Sequence, residues 1–179
     1  FANDWSFATA ASEHWLFNAI FGLFAQAMSL ETLGWAGRIV FWALCLIGIL
    51  RIASAWEFPY WQILVAVGLW LGFEQSIVNA EWIFGTFEAK VVSYACLFFA
   101  LASLANSRHL VGSALLGLSF SFHPAVGLWA VAGGGLALLA GRPKIKKLLI
   151  SAAVGLIFCL PGIIPLIGDQ MSGSAATPD

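Results

Sequence analysis

The sequence predicts an all-α, polytopic membrane protein: a transmembrane helical bundle of about six spans, preceded by an amphipathic juxtamembrane helix. Hydrophobic residues make up 61% of the 179 residues, and the mean hydropathy is +0.91. A soluble domain of this length cannot bury so much apolar surface. Several apolar runs also approach the roughly 20 residues that a membrane-spanning helix needs.

Residues 1–34 contain no spanning run and form the first predicted region. Ser12 is in position to cap a helix, because Glu13 would then fall in its first turn. The polar positions that follow recur every four residues: His14, Asn18, Gly22 and Gln26. Aromatic and aliphatic residues fill the remaining positions, so residues 13–28 are predicted to form an amphipathic helix lying along the membrane interface. Ser29 is placed to cap the next helix.

Residues 35–168 contain six apolar segments, which we interpret as the transmembrane bundle. They are predicted at 35–53, 59–73, 89–105, 110–122, 125–140 and 148–167. Pro59 is expected in the first turn of the second segment, and Pro161 and Pro165 are expected to break the sixth. Glycine and serine in the fourth and fifth segments predict a tightly packed pair, joined by a tight turn at Pro124. Residues 169–179 are expected to begin another outer loop, and both ends are expected to continue in a longer protein.

Charge is distributed unequally between the two sides of the predicted bundle. If the segments alternate in direction, six of the eight basic residues share one side: Arg51, Arg108, Arg142, Lys144, Lys146 and Lys147. The positive-inside rule makes that side cytoplasmic. The opposite side receives His123 and eight of the nine acids: Asp4, Glu13, Glu31, Glu74, Glu81, Glu88, Asp169 and Asp179. We expect chemistry on this acidic side.

The segment 73–94 concentrates charge in a chain whose charged fraction is only 9%. It holds Glu74, Glu81, Glu88 and Lys90 between two apolar segments. One interpretation is a solvated loop with Glu88 favourably placed at a helix N-terminus; the other is a polar site at the membrane surface. Glu81 and Glu88 would share a face if both were helical, or a loop around Gly85 would bring them together. Lys90 would either meet an anionic phosphate or extend to the interface.

Two further residues have a functional and an ordinary interpretation. Asp4 is either a solvated loop acid or a general base or metal-binding carboxylate at the membrane face. His123, just before Pro124, is either a hydrogen-bonded turn residue or a catalyst. The cysteines at 45, 96 and 159 lie in apolar runs and are interpreted as packing residues. Nucleic-acid binding, zinc-protease and nucleotide-binding motifs are absent from the sequence.

Three passages resemble the GT-C superfamily of polytopic glycosyltransferases, in particular its little-characterised bacterial members. The first is F-A-N-D-W followed by an amphipathic surface helix. The others are E-W-I-F-G-T-F-E-A-K-V-V-S-Y and S-F-H-P-A-V-G-L-W. The resemblance implies transfer of a sugar from a polyprenyl-phosphate donor at the extracytoplasmic face of a bacterial inner membrane. The helix that precedes the first outer loop in that family, and any later domain, are absent from this sequence.

The resemblance also implies roles for individual residues. The acid of the first outer loop is the catalytic base in the family, and Asp4 matches it by position. Glu81, Glu88, Lys90 and His123 are carried over as residues that line the substrate site. The departing phosphate would need Lys, Arg or a divalent metal, and no metal ligand is assigned. The bilayer and the lipid-linked sugar are the expected partners.

Two other functions compete with this one. A transporter needs ionisable residues near the middle of its spans, and the charges of this sequence stay near the segment ends. A scaffold or assembly subunit needs only packing helices. Release of polyprenyl phosphate by the full-length protein would distinguish the enzyme from both.

Overall fold

The computed structural model describes residues 14–73, 83–141 and 143–173, with side chains described through Gly168, and the regular elements of these ranges are all α-helices. They are α1 (Trp15–Ala25), α2 (Leu30–Ala55), α3 (Tyr60–Gly72), α4 (Ala89–Ala105), α5 (His109–Phe122), α6 (Pro124–Ala140) and α7 (Ile145–Gly173). The predicted all-α class is confirmed for this part of the chain.

Local capping explains where several helices begin. The hydroxyl of Ser29 accepts a hydrogen bond from the Thr32 N–H at 3.1 Å, as an N-cap residue does. This predicted cap is confirmed, and it starts α2 at Leu30, earlier than the predicted position 35. Pro59 occupies the N-cap position of α3 rather than its first turn, so that detail of the prediction is wrong.

Two helices are long and apolar enough to cross a membrane by length and composition: α2, with 26 residues, and the 24-residue stretch Ile145–Gly168 of α7. The other helices have 11 to 17 residues. Seventeen residues extend about 26 Å, less than the roughly 30 Å of a hydrocarbon core. Six spans are therefore not confirmed; the structure has six apolar helices after α1, of which two have spanning length.

Contacts between helices fix their directions. Gly37 of α2 lies against Phe87, and Gly48 lies against Phe98 of α4, so α2 and α4 run in parallel. Ser93 of α4 bonds Ser119 of α5, and Leu104 lies against Gly112. The α4 and α5 pair is therefore antiparallel.

The remaining helices continue this alternation. In α3, Ile63 and Trp70 line one cavity with Ile52 of α2, and the Trp70 ring lies 5.7 Å from Phe84 just before α4. In α6, Gly127 and Gly134 lie against Phe120 and Leu116 of α5, so these two helices are antiparallel. In α7, Gly155 and Gly162 lie against Ser113 and Ser121 of α5, so these two are parallel. Helices α2, α4 and α6 therefore run one way, and α3, α5 and α7 the other. We call the end where α4 and α6 begin the histidine end, because it contains His123, and the opposite end, with Arg51 and Arg108, the arginine end.

Small residues fill the contacts between the helices, whereas large apolar residues lie on the outside. Helix α5 is central and packs on α4, α6 and α7. The buried residues include alanines of α4 and the serines at 93, 113, 119, 121 and 151, while Trp129 is 78% exposed. This is the distribution expected of helices that pack closely in lipid. The three cysteines are free; Cys45 and Cys159 are buried and Cys96 is partly buried.

The predicted tight pairing of the fourth and fifth segments is confirmed where α5 and α6 meet at Gly127. Not all glycines of these two helices lie between them. A Cβ at Gly127 of α6 would collide with the Phe120 backbone of α5. Gly117, by contrast, faces Phe158 of α7. In the Gly133–Gly135 run, an added Cβ would meet a neighbouring helix only at Gly134, where it would collide with Leu116 of α5.

Helix α7 continues through both of its prolines, so the predicted break is wrong. Proline in a helix removes a donor and crowds the preceding turn. Here the Ser121 hydroxyl of α5 donates to the Phe158 carbonyl at 2.6 Å and accepts from the Gly162 N–H at 3.2 Å. The neighbouring helix thereby satisfies backbone groups around Pro161, and α7 stays helical.

Helix α1 lies at the histidine end and is shorter than the predicted 13–28. Its Phe17 and Phe21 rings pack on Phe87 at 5.2 and 4.9 Å. Leu23 and Phe24 remain exposed. The predicted cap Ser12 lies outside the described residues, and His14 occupies the N-cap position without a side-chain cap.

Candidate functional site

The histidine end contains those predicted site residues that the structure describes. Glu88, Lys90 and His123 all lie there, and Asp4 and Glu81 fall outside the described residues. Glu88 is exposed at the N-cap position of α4, where its side chain forms no cap hydrogen bond. Residues 83–88 are not helical, so Glu88 does not belong to a helical face reaching back towards Glu81.

Lys90 and His123 lie at similar heights on adjacent helices. Ser93 and Ser119 share a hydrogen bond of 2.8 Å and mark one level of the α4 and α5 pair. Lys90 stands about 4.5 Å beyond that level, and His123 about 6 Å beyond it, at 1.5 Å per residue. Both side chains are partly buried. The α4 and α5 packing thus brings an ammonium and an imidazole to the same end.

His123 has a defined structural function. Its Nδ1 accepts a hydrogen bond from the Val126 N–H at 3.3 Å, which caps α6. Since this nitrogen accepts, it carries no proton in that arrangement. The turn-residue interpretation of His123 is therefore confirmed, and Pro124 follows it at the first position of α6.

A second histidine joins the site, which the sequence did not indicate. The ring of His14, just before α1, stacks on His123 with centroids 5.1 Å apart and planes inclined by 25°. Nδ1 of His14 is buried and has no hydrogen-bond partner among the described residues. From the sequence alone, His14 belongs only among the polar positions of the amphipathic helix. Its contact with His123 could not be predicted, because no local pattern relates two residues so far apart in the chain. The stacking attaches α1 to the bundle.

An apolar cavity of about 570 Å³ lies between α2, α3 and α4. It extends from Trp56 at the arginine end to Trp70 and Ile83 at the histidine end. Its walls are almost wholly aliphatic and aromatic, with Gln62 as the one amide. Such a cavity suits a long hydrocarbon chain rather than a polar ligand.

The cavity-lining face of α4 continues to Lys90. Tyr94, Phe98 and Leu101 line the cavity, and their spacing of four and three residues places them on one helical face. Lys90 precedes Tyr94 by four residues and belongs to the same face. A cationic residue therefore stands one turn beyond the apolar lining, at the histidine end.

Aromatic rings pack together near this end of the cavity, and Trp70 among them lines it. Phe84 lies 5.7 Å from Trp70 of α3 and 6.2 Å from Trp42 of α2, in edge-on contacts. These side chains hold the segment before α4 against the bundle. No local sequence pattern indicates this cluster, because three separate segments contribute to it.

The arrangement offers an ammonium, a carboxylate and two imidazoles beside an apolar cavity. No group of three potential metal ligands occurs among the residues that the structure describes. Asp4, the residue interpreted as a possible metal-binding carboxylate, lies outside them. The described geometry can hold an amphiphile with its tail in the cavity and an anionic group near Lys90.

Comparison with known proteins identifies no relative. No family model, curated protein or solved structure matches this chain. Its function must therefore be argued from the sequence pattern and from the geometry described above.

Proposed function

We propose that this chain is part of a GT-C-like membrane glycosyltransferase, which transfers a sugar from a polyprenyl-phosphate donor at the extracytoplasmic face of a bacterial inner membrane. One observation carries the proposal: Lys90 continues the helical face that lines a 570 Å³ apolar cavity. A lipid-linked phosphate has the matching chemistry, since its tail is apolar and its head is anionic.

Membrane insertion is supported by the surface of the bundle. Large apolar side chains are exposed on most helices, for example Leu64 at 70% and Leu136 at 68%. Exposing this apolar surface to water is energetically unfavourable, whereas exposing it to the hydrocarbon of a bilayer is not. In the proposed arrangement α2 to α7 all cross the membrane, and local thinning of the bilayer accommodates the short helices.

The orientation follows from the basic residues. Arg51, Arg108 and the lysines at the start of α7 lie at the arginine end, which the positive-inside rule assigns to the cytoplasm. The histidine end then faces outward, with α1 along the interface. Glu88, Lys90 and His123 would meet the head of a donor lipid on that side.

In the proposed reaction, each of the predicted site residues has its own role. The acceptor hydroxyl attacks the anomeric carbon of the donor sugar, and the Asp4 carboxylate takes its proton. The bond to the phosphate oxygen breaks, and the Lys90 ammonium stabilises the phosphate that departs. Glu81, Glu88 and His123 line the sugar-binding region. A divalent metal would add to the stabilisation of phosphate if the full-length protein binds one.

Turnover by the full-length protein tests this assignment. Asp4→Asn removes the basic oxygen, so we expect release of polyprenyl phosphate from the sugar-linked donor to slow by about 100- to 10,000-fold. Thermal stability, measured on the same preparations, should be unchanged. Glu31→Gln is the matched control, because Glu31 is an exposed acid at the histidine end, in the first turn of α2. Parental turnover by Asp4→Asn would reject Asp4 as the base.

A further inference from the structure

A second, polar cavity opens at the arginine end, remote from the proposed active site. It has a volume of about 260 Å³ and lies between the ends of α2 and α4 and the start of α5. Arg51 and Arg108 both line it, together with Ser54, Ser103 and Asn106. Two guanidinium groups therefore share one cavity with two hydroxyls and an amide.

Neither arginine is neutralised by a carboxylate in the described part of the chain. Glu57 lies in the adjoining loop but forms no ion pair with either one. The Arg51 guanidinium lies 5.9 Å from the centre of the Phe99 ring, which lines the same cavity. That cation–π contact positions the guanidinium while leaving its N–H donors available for hydrogen bonding.

The backbone around the cavity adds to the positive potential on one side. Arg108 is the N-cap residue of α5, and its side chain forms no cap hydrogen bond. The first N–H groups of a helix carry partial positive charge. The last carbonyl groups of α2 and α4 carry partial negative charge, which stabilises the arginine cations. These carbonyls cannot donate hydrogen bonds to an anion. The two guanidinium groups and the first N–H groups of α5 thus provide hydrogen-bond donors and positive charge at the cavity.

From this geometry we propose that the Arg51–Arg108 cavity binds a phosphate-bearing anionic group. Guanidinium groups match phosphate oxygens by paired, charge-assisted hydrogen bonds. A water molecule takes about 30 Å³ in the liquid, so the cavity has room for a phosphate and accompanying waters. The phosphate can belong to an anionic lipid headgroup or to a free anion, and the experiment below distinguishes these sources.

The test uses the purified full chain in detergent and measures retention of phosphatidylglycerol by native mass spectrometry. Arg51→Gln/Arg108→Gln should bind this lipid about 10- to 100-fold more weakly, since charge-assisted bonds are stronger than neutral ones. Lys146→Gln/Lys147→Gln is the matched control, because it removes the same charge from exposed residues at the same end, outside the cavity. That control should bind like the parent.

Inorganic phosphate added in the same assay identifies the source of the ligand. If phosphate displaces the lipid, the cavity accepts the free anion as well; if the lipid stays bound, the site is specific for the headgroup. Equal weakening by the lysine control, or no weakening by the arginine variant, would overturn the proposal. Circular dichroism checks the helical content, and Arg108→Gln alone, at an exposed position, provides the same comparison if the double variant loses helix.

Discussion

At the scale of single residues, small side chains determine how closely the helices approach. Gly127 and Phe120 show this most clearly, because the backbone of α5 occupies the position that a Cβ on α6 would take. A Cβ at Gly133, six residues further along the same helix, would face open space. Two glycines of one helix thus have different functions, and only the contacts of the folded chain distinguish them.

We predict that Gly127→Ala destabilises the bundle and that Gly133→Ala does not. Overpacking typically costs about 1–3 kcal/mol, so the first variant should unfold at a lower temperature in detergent. At Gly133, alanine has higher helix propensity and meets no neighbour. Equal melting temperatures for the two variants would contradict the close packing of α5 and α6.

At the scale of helices, sequence patterns predicted the positions of most helices but not the contacts between helices that stabilise them. The bounds of α4 match the predicted 89–105, because charged residues precede the segment and Ser107-Arg108-His109 closes it. The predicted break within α7 is wrong because proline was taken as a local helix breaker. The hydroxyl that keeps this helix continuous belongs to Ser121 of α5, and a local pattern cannot show a contact between distant segments.

Ser121→Ala tests this support of α7. It removes the two hydrogen bonds that the Ser121 hydroxyl makes with the Gly162 N–H and the Phe158 carbonyl, and a hydrogen bond contributes about 0.5–1.5 kcal/mol of net stability. We expect a lower melting temperature. Ser113→Ala is the control, because the Ser113 hydroxyl is buried on the same helix and has no partner among the described residues. A melting temperature for Ser121→Ala equal to that of Ser113→Ala would refute the supporting function.

Helix α1 supports a prediction about its position in the membrane. Its 11 residues extend about 17 Å, too short to cross, and Leu23 and Phe24 are exposed. Spin labels placed along residues 15–25 should report shallow immersion that varies periodically. A steady passage through the bilayer centre would contradict the interfacial position.

At the scale of the whole molecule, alternating helix directions produce the two chemically different ends. The predicted division of charge between the two sides rests on this alternation, and the contacts of α2 to α7 show it. The grouping of Glu88, Lys90 and His123 at one end follows from the same alternation and could therefore be predicted. The His14–His123 stacking and the apolar cavity could not, since both depend on which helices pack together.

The orientation of the two ends can be measured by cysteine labelling. In a background without the three native cysteines, Ile145→Cys reports the arginine end and Glu31→Cys the histidine end; both positions are exposed. An impermeant reagent added outside intact cells should label position 31 only. Labelling of position 145 from outside would invert the scheme and remove the functional argument.

Donor kinetics of Lys90→Gln in the full-length protein test most directly the claim that a lipid-linked phosphate binds at the histidine end. Loss of a charge-assisted bond to the donor phosphate should raise the KM for the polyprenyl-phosphate sugar by about 10- to 100-fold, and Lys90→Arg should recover part of it. Lys146→Gln, at the opposite end, should keep the parental KM. A parental KM for Lys90→Gln, or an equal rise for Lys146→Gln, would contradict the proposed donor site.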